Sequence, residues 1–375
     1  MQILLHVSGE IGTKGKNRIA FERKLAENIK AKISNVRIKR AFGSFLLEIK
    51  EKDEEIIKKI PGIAWIAKCE ESEKSLEGLK KKVFEIAKEK KFIEFDIEVR
   101  RAWKDFKYTS QEIRDTLIKE LKKEFVFKPK SNNKIFIEIN KDWFVIFTEK
   151  RKGIGGLPTS TSGKVVALLS GGFDSAIASF LAMKKGLEII FVHFHNYPSN
   201  KYKIIDEKIL SLIKKLNCFQ IKSKIYIISF GDVQKEIIKK VDARFRMICY
   251  RAIMFALAQE IAKQEGARAL LTGDSLGQVA SQTLENLSVV MKSIDMPVLM
   301  PLISYDKREI INIAKEISIY DLCIIKYADC CSFMVAKHPA TKISEEKFAE
   351  IMKKISLKKI IKKTLENSRI EIISK

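Results

Sequence analysis

The chain has 375 residues, too many for one ordinary core and suited to about two or three domains. Its composition, 46% hydrophobic and 31% charged, is globular, and its apolar runs fall short of the ~20 residues of a membrane span. The net charge of +24, from 71 basic and 47 acidic side chains, excludes an electrostatically neutral surface. Adaptation to heat raises Glu and Lys together, so a one-signed excess points to a polyanionic partner, nucleic acid ahead of an acidic membrane surface. The opening residues do not read as a signal peptide, because their short apolar stretch already contains His6 and Ser8. Six cysteines make no disulfide framework in a chain of this length. A reducing, cytoplasmic location follows as the expectation, and any cysteine with a task is catalytic or metal-binding.

In chain order, residues 3–7 read as a strand, 18–33 as a basic helix, 35–38 and 44–49 as strands, 53–60 as a short helix ended by Pro61-Gly62, and 64–68 as a strand. This β-α-β-β-α-β order is the ferredoxin-like pattern. A second unit follows. Its helix 75–89 carries Leu76, Leu79, Val83 and Ile86 on one face. A strand at 93–100 leads to a helix at 110–124 with Ser110 as expected N-cap and Glu112 in the first turn. Residues 135–139 and 143–148 form a hairpin around Asn140-Lys141-Asp142. The Gly/Ser-rich stretch 153–163 reads as a linker.

Beyond it, strands at 165–169, 188–193, 224–229 and 269–272 alternate with helices at 176–185, 201–216, 233–239 and 244–264. That alternation predicts a doubly wound parallel sheet, giving an α/β protein overall. The tail 345–368 reads as helical and basic. The expected domains are therefore 1–53, 54–152 and 164–375.

The sharpest motif is Ser170-Gly-Gly-Phe-Asp-Ser175, between a buried strand and a helix. Two glycines let backbone N–H groups turn inward, two hydroxyls add donors, and the helix N-terminus supplies partial positive charge, a cradle for pyrophosphate. A serine-capped turn would use the same residue types. The motif is neither a Walker A loop nor GxGxxG. In this setting it resembles the PP-loop of ATP pyrophosphatases. Further blocks, Val192-His-Phe-His195, Leu271-Thr-Gly-Asp-Ser-Leu-Gly-Gln-Val-Ala-Ser-Gln282, Pro301-Leu-Ile-Ser-Tyr-Asp-Lys307, Gly153-Ile-Gly-Gly-Leu-Pro158 and Gly9-Glu-Ile-Gly-Thr-Lys-Gly-Lys-Asn-Arg18, resemble the tRNA 4-thiouridine synthetases over nearly the whole chain.

That resemblance implies an N-terminal ferredoxin-like domain and a THUMP domain holding the acceptor end of tRNA, ahead of an adenylating domain. It implies ATP contacts from Leu168, Leu169, Ser170, Gly171, Gly172, Ser175, His193, Phe194, Arg251, Gly273 and Gln282. Asp174 is implied beside the phosphates with Mg2+, and Lys307 in an electrostatic catalytic role. In Tyr327-Ala-Asp-Cys-Cys-Ser-Phe-Met334 it implies a sulfur-handling cysteine, Cys331, with Cys330 as the neighbour that could substitute. Buried cysteines also serve simply as small hydrophobes.

Longer family members carry a C-terminal rhodanese domain, whereas this chain runs to Lys375 without one. Sulfide or an external carrier is therefore the expected sulfur donor. Cys249 has Ala252 three residues on, so a Cys-x-x-Cys pair is incomplete. Cys249, Cys330 and Cys331 remain as a three-ligand set for an iron–sulfur cluster; Cys69, Cys218 and Cys323 read as structural. In the front half, Lys14, Lys16, Arg18, Arg37, Lys39, Arg40, Arg100, Arg101 and Lys104 interleave with Phe42, Phe45, Trp103 and Tyr108, a pattern suited to phosphate contacts and base stacking. The competing functions are another PP-loop tRNA-modifying enzyme, or a tRNA-binding protein with a degenerate ATP site. The oligomeric state is left open, a homodimer being one option.

Overall fold

Strand β1 (Gln2–Val7) is apolar from Ile3 to Leu5 and lies between β3 (Ser44–Glu48) and β4 (Ile63–Lys68), with β2 (Arg37–Ala41) outside β3. After a single helical turn, α1 (Gly9–Gly12), helix α2 (Arg18–Lys32) packs Leu25 and Ile29 onto one face with Phe45 and Leu47; the short α3 (Glu54–Lys58) adds Ile57. The β4-β1-β3-β2 order is that of the ferredoxin-like fold. The computed structural model describes residues 1–196, 202–326, 330 and 333–374.

The second sheet runs β5 (Glu70–Ser72), β9 (Phe144–Phe147), β8 (Lys134–Ile139), β6 (Glu94–Arg101) and β7 (Val126–Phe127). Helices α4 (Leu76–Glu89) and α5 (Ser110–Leu121) cover it, burying Leu79, Val83, Ile113 and Leu117 against Phe95, Ile137 and Phe144. The N-cap of α5 is Thr109 rather than Ser110. Its Oγ1 accepts from Glu112 N–H at 3.2 Å, and the Glu112 carboxylate accepts from Thr109 N–H at 2.7 Å, a reciprocal capping box.

Two boundaries differ from expectation. Residues 54–68 belong to the first sheet, because β4 pairs with β1 along its length. Part of the 153–163 stretch is strand as well: β10 (Arg151–Gly155) returns to pair with β4 as the fifth strand of the first sheet. The chain then divides into two compact units between Pro158 and Thr159.

In Thr159–Lys375, a sheet is built from β11 (Lys164–Leu168), β12 (Glu188–His195), β13 (Ser223–Ser229), β14 (Leu270–Leu271), β15 (Val298–Leu299) and β16 (Arg369–Ile373) in the order β15-β14-β11-β12-β13-β16. All pairs are parallel except β13–β16. The intervening helices are α6 (Phe173–Lys184), α7 (Tyr202–Leu216), α8 (Gly231–Lys240), α9 (Arg246–Glu265), α10 (Leu284–Met291), α11 (Lys307–Glu316), α12 (Tyr320–Ile324), α13 (Glu345–Lys353) and α14 (Leu357–Glu366). The basic tail is thus two helices and a strand. Strand order reverses between β11 and β14, and crevices at the carboxyl ends of such strands are where doubly wound folds bind ligands.

Candidate active site

At that switch point the chain leaves β11 at Leu168, turns through Leu169 to Gly172 and enters α6 at Phe173. The helix begins three residues earlier than the sequence suggests, so Asp174 and Ser175 lie in its first turn. Gly171 has φ +84°, a conformation open to glycine and strained for L side chains, and a Cβ there would meet Ile209 at 2.8 Å. Inside the loop, Ser170 N–H donates to Ser175 Oγ at 3.1 Å, the two serine hydroxyls lie 3.0 Å apart, and Gly172 N–H donates to Ser170 Oγ at 3.3 Å. No side chain caps α6 at its N-cap, Gly172. The first turn therefore keeps the partial positive charge that favours an anion.

A cavity of about 690 Å³ opens over this turn, within the ~300–1,000 Å³ of small-molecule sites. Leu168, Leu169, Ser170, Asp174 and Ser175 line one wall. Phe194 comes from the end of β12, Arg251 from α9, Gly273 from the turn after β14, and Gln282 from a 3-10 turn, Ala280–Gln282. Cys330, Val335 and Pro339 also line it. Gly273 packs directly on the start of α6, where a Cβ would lie 2.4 Å from the Asp174 carbonyl carbon. Glycine is required there because backbone meets backbone.

Asp174, Arg251 and Asp274 are ion-paired. Asp174 receives Lys307 Nζ at 2.7 Å on Oδ1 and Gln278 Nε2 at 3.4 Å on Oδ2. Lys307 opens α11, and with Asp174 it forms a partly exposed ion pair. Asp274, deep in the cavity wall, accepts from Arg251 Nη2 at 2.7 Å, Thr272 Oγ1 at 2.8 Å and Gln282 Nε2 at 2.9 Å. Burial pushes the Asp274 carboxyl up, but the Arg251 charge and these hydrogen bonds outweigh it and hold the group below the usual carboxylate range.

Some anticipated residues fall elsewhere. His193 is 1% exposed and lies behind the site, its Nδ1–H donating to the Leu169 carbonyl at 2.7 Å; it supports the loop rather than lining the cavity. Gly171 and Gly172 contribute backbone only. Cys249 is in the core on α9, where burial pushes its thiol up to about 12. Cys331 lies outside the described residues. Among the described residues no three His, Cys, Asp or Glu side chains converge as metal ligands; the expected Cys249–Cys330–Cys331 set includes Cys331 and so lies outside them. Magnesium needs only one or two carboxylates beside substrate phosphates. Asp174, partly exposed on the cavity wall, fits that requirement, whereas Asp274 is buried and takes three donors on its two oxygens.

Three features were not anticipated: Asp274 itself, Lys337 on the cavity wall, and Lys208. Lys208 is buried beneath the loop, where its Nζ donates to the Ile325 carbonyl at 2.8 Å and burial lowers its pKa.

In the front unit, the four aromatics named for base stacking separate. Phe45 is core at 0% exposure, Trp103 and Tyr108 pack against the core of the second sheet, and Phe42 is 78% exposed. The Arg18 guanidinium stands 3.6 Å from the Phe42 ring centre. Arg101 is turned inward to hold a loop, its Nη1 donating to the carbonyls of Lys104, Phe106 and Tyr108.

Known proteins are similar to this chain over nearly its whole length. Residues 160–357 match the family described as thiamine biosynthesis protein (ThiI), and residues 2–67 match the ThiI ferredoxin-like domain. A probable tRNA sulfurtransferase of Thermoanaerobacter sp. is 38% identical over 96% of this chain and 97% of its own. The chain belongs to the ThiI family. A second such relative, from Caldanaerobacter subterraneus, is 38% identical over 99% of both chains. Among solved structures, a 4-thiouridine synthetase in complex with RNA and bound ATP superimposes with a TM-score of 0.88 at 32% identity, covering 100% of both chains. Among the described residues, no helix is long and apolar enough to cross a membrane.

Proposed function

We propose that this chain is an ATP-dependent tRNA sulfurtransferase that adenylates the C4 oxygen of a tRNA uridine, the one at position eight, and replaces that oxygen with sulfur. The observation that supports this is a cavity lined both by the phosphate loop, Ser170, Asp174 and Ser175, and by Cys330. Activation and sulfur delivery need that juxtaposition, because the adenylated carbon must meet sulfur without leaving the site.

In this reading the α6 N-terminus and loop amides hold the triphosphate, with Leu168, Leu169 and Phe194 against the nucleoside. Arg251 and Lys307 offset the phosphate charge. Bound Mg2+, held by Asp174 together with phosphate oxygens, supplies charge neutralisation at the phosphates. The uridine O4 attacks the α-phosphorus and pyrophosphate leaves. Sulfur then attacks C4, and AMP departs with the original oxygen.

Cys331 is the proposed sulfur-handling residue and Cys330 the neighbour able to replace it, with sulfide or an external carrier as donor. Residues 1–158, including the THUMP-like second sheet, are the proposed tRNA-binding half. The test is an unmodified tRNA transcript incubated with the protein, ATP, Mg2+ and sulfide, followed by nucleoside analysis. We expect 4-thiouridine at position eight with stoichiometric AMP. AMP without thionucleoside, or thiolation at another position, would reject the assignment.

A further inference from the structure

The turn after β14 carries a buried carboxylate on the cavity wall that is hydrogen-bonded to two other residues lining the same cavity. Asp274 is 3% exposed. Its Oδ2 accepts from Arg251 Nη2 and Thr272 Oγ1, and its Oδ1 from Gln282 Nε2, at 2.7, 2.8 and 2.9 Å. Arg251 and Gln282 lie on separate elements, 23 and 8 residues away in sequence, so this carboxylate is the group that joins them.

The chemistry of the contact restricts both partners. A carboxylate held in its charged form only accepts, so the Gln282 side chain must present its amide nitrogen to Asp274. Arg251 is a long side chain with many rotamers, and a carboxylate on one edge of its planar fork leaves it a single orientation toward the cavity. Ser281 adds a weaker contact to Arg251 Nη1 at 3.4 Å. The adjacent Gly273 sits against the backbone of Asp174 and Ser175. The Thr272-Gly273-Asp274 turn thus fixes the cation and the amide relative to the start of α6.

We propose that Asp274 is a positioning residue for the adenylation step, clamping Arg251 and Gln282 so that ATP meets donors already oriented. This rests on the cavity being the ATP site. Asp274 acts through Arg251, so its loss and the loss of Arg251 overlap rather than multiply.

The experiment compares the full-length wild type with D274N, R251M and the double variant. It measures ATP affinity by equilibrium titration, and KM and kcat for AMP formation on a tRNA transcript. D274N should raise the ATP Kd and KM by about tenfold or more, with a smaller change in kcat, and R251M should do likewise. The double variant should bind ATP more tightly than the product of the two single effects predicts, since the Arg251 share is lost only once. If D274N does not fold, T272V carries the same test, because it removes one of the three donors to this carboxylate. A few-fold rise in KM is then expected, smaller in the R251M background.

Unchanged ATP affinity in a folded D274N, or effects that multiply in the double variant, would overturn the clamp and leave the ATP site standing. A wild-type protein that binds no ATP would overturn both.

Discussion

In residues 1–158 most charged pairs lie on the outside: Arg37 with Glu48, Lys39 with Glu71, Lys128 with Glu94, each with at least one partner well exposed. Such pairs contribute about 0–1 kcal/mol each and weaken with salt. Exceptions are Glu54, buried and paired with Arg151 and Lys68, and Glu138, buried against His6 at 2.7 Å, with the His6 ring stacked on Trp65. In residues 159–375, by contrast, the ion pairs of consequence, Asp174–Lys307 and Asp274–Arg251, stand at one cavity. A surface built to meet a polyanion divides its task among many screened charges. A site built to break a phosphoanhydride concentrates its task in a few groups whose removal nothing nearby compensates. Single substitutions should therefore act strongly in the second unit and weakly in the first.

The largest effect should follow Asp174→Ala. Losing the carboxylate that pairs with Lys307 at the loop should cut ATP-dependent AMP formation by about 10²-fold or more while tRNA affinity stays within a few-fold of wild type. Equal collapse of tRNA binding, measured by filter retention on the same preparation, would mean that Asp174 holds structure in both units and that the contrast is false.

Next comes Cys331→Ser, which separates activation of the uridine from delivery of sulfur. Serine is close in size but is a poor nucleophile and cannot carry a persulfide. Thionucleoside should disappear while uridine adenylation or ATP consumption continues, and Cys330→Ser should do less damage. Full thiolation by the Cys331→Ser protein with a persulfide carrier as donor would show delivery from Cys330, whereas thiolation with sulfide alone reports direct attack on C4.

Much of this contrast was legible in the sequence. Ser170-Gly-Gly-Phe-Asp-Ser175 announced itself because its glycines and hydroxyls sit together between a strand and a helix. The ferredoxin-like order was legible because each element has its own period. Strands β10 and β16 were not: both are edge strands, of Arg-Lys-Gly and alternating charged composition, and pair with partners far away in the chain. Asp274 gave no local signal, since a lone aspartate after a strand looks like any turn residue and its partners come from other elements. His193 was implied beside the nucleotide by the family resemblance; its ring is buried with Nδ1–H on the Leu169 carbonyl and is not among the residues lining the cavity. Thr109 was legible and misread, since Thr-Ser-Gln-Glu already spells a capping box.

A more moderate effect concerns the first unit alone. Its hydrophobic clusters are formed entirely from residues up to Leu157, and β10 completes its first sheet, so residues 1–158 are the fragment to express, not a form cut at 152. It should bind tRNA with log affinity falling linearly in log salt, by about 0.7–0.9 for each phosphate neutralised. Salt-independent binding, or none by a folded fragment, would remove the polyanion surface from this half.

The smallest predicted effect is Phe42→Ala, and it is the sharpest test of how the first unit works, because Phe45, three residues away, is its natural control. Both rings occur in the same β2–β3 hairpin, but Phe45 is 0% exposed in the core while Phe42 is 78% exposed. Truncating Phe45 leaves a cavity and should cost about 3–5 kcal/mol of stability; truncating Phe42 exposes nothing new and should leave the melting temperature unchanged. The Arg18 guanidinium covers part of the Phe42 ring at 3.6 Å, and a base stacked on the remaining surface would contribute about 1 kcal/mol, the lower end of aromatic stacking. Phe42→Ala should accordingly weaken tRNA binding by about fivefold with no change in the salt slope, since no phosphate contact is lost. Arg18→Ala should flatten the slope as well. If Phe42→Ala binds tRNA as wild type does, the ring is only a cover for Arg18, and recognition by this unit is electrostatic throughout.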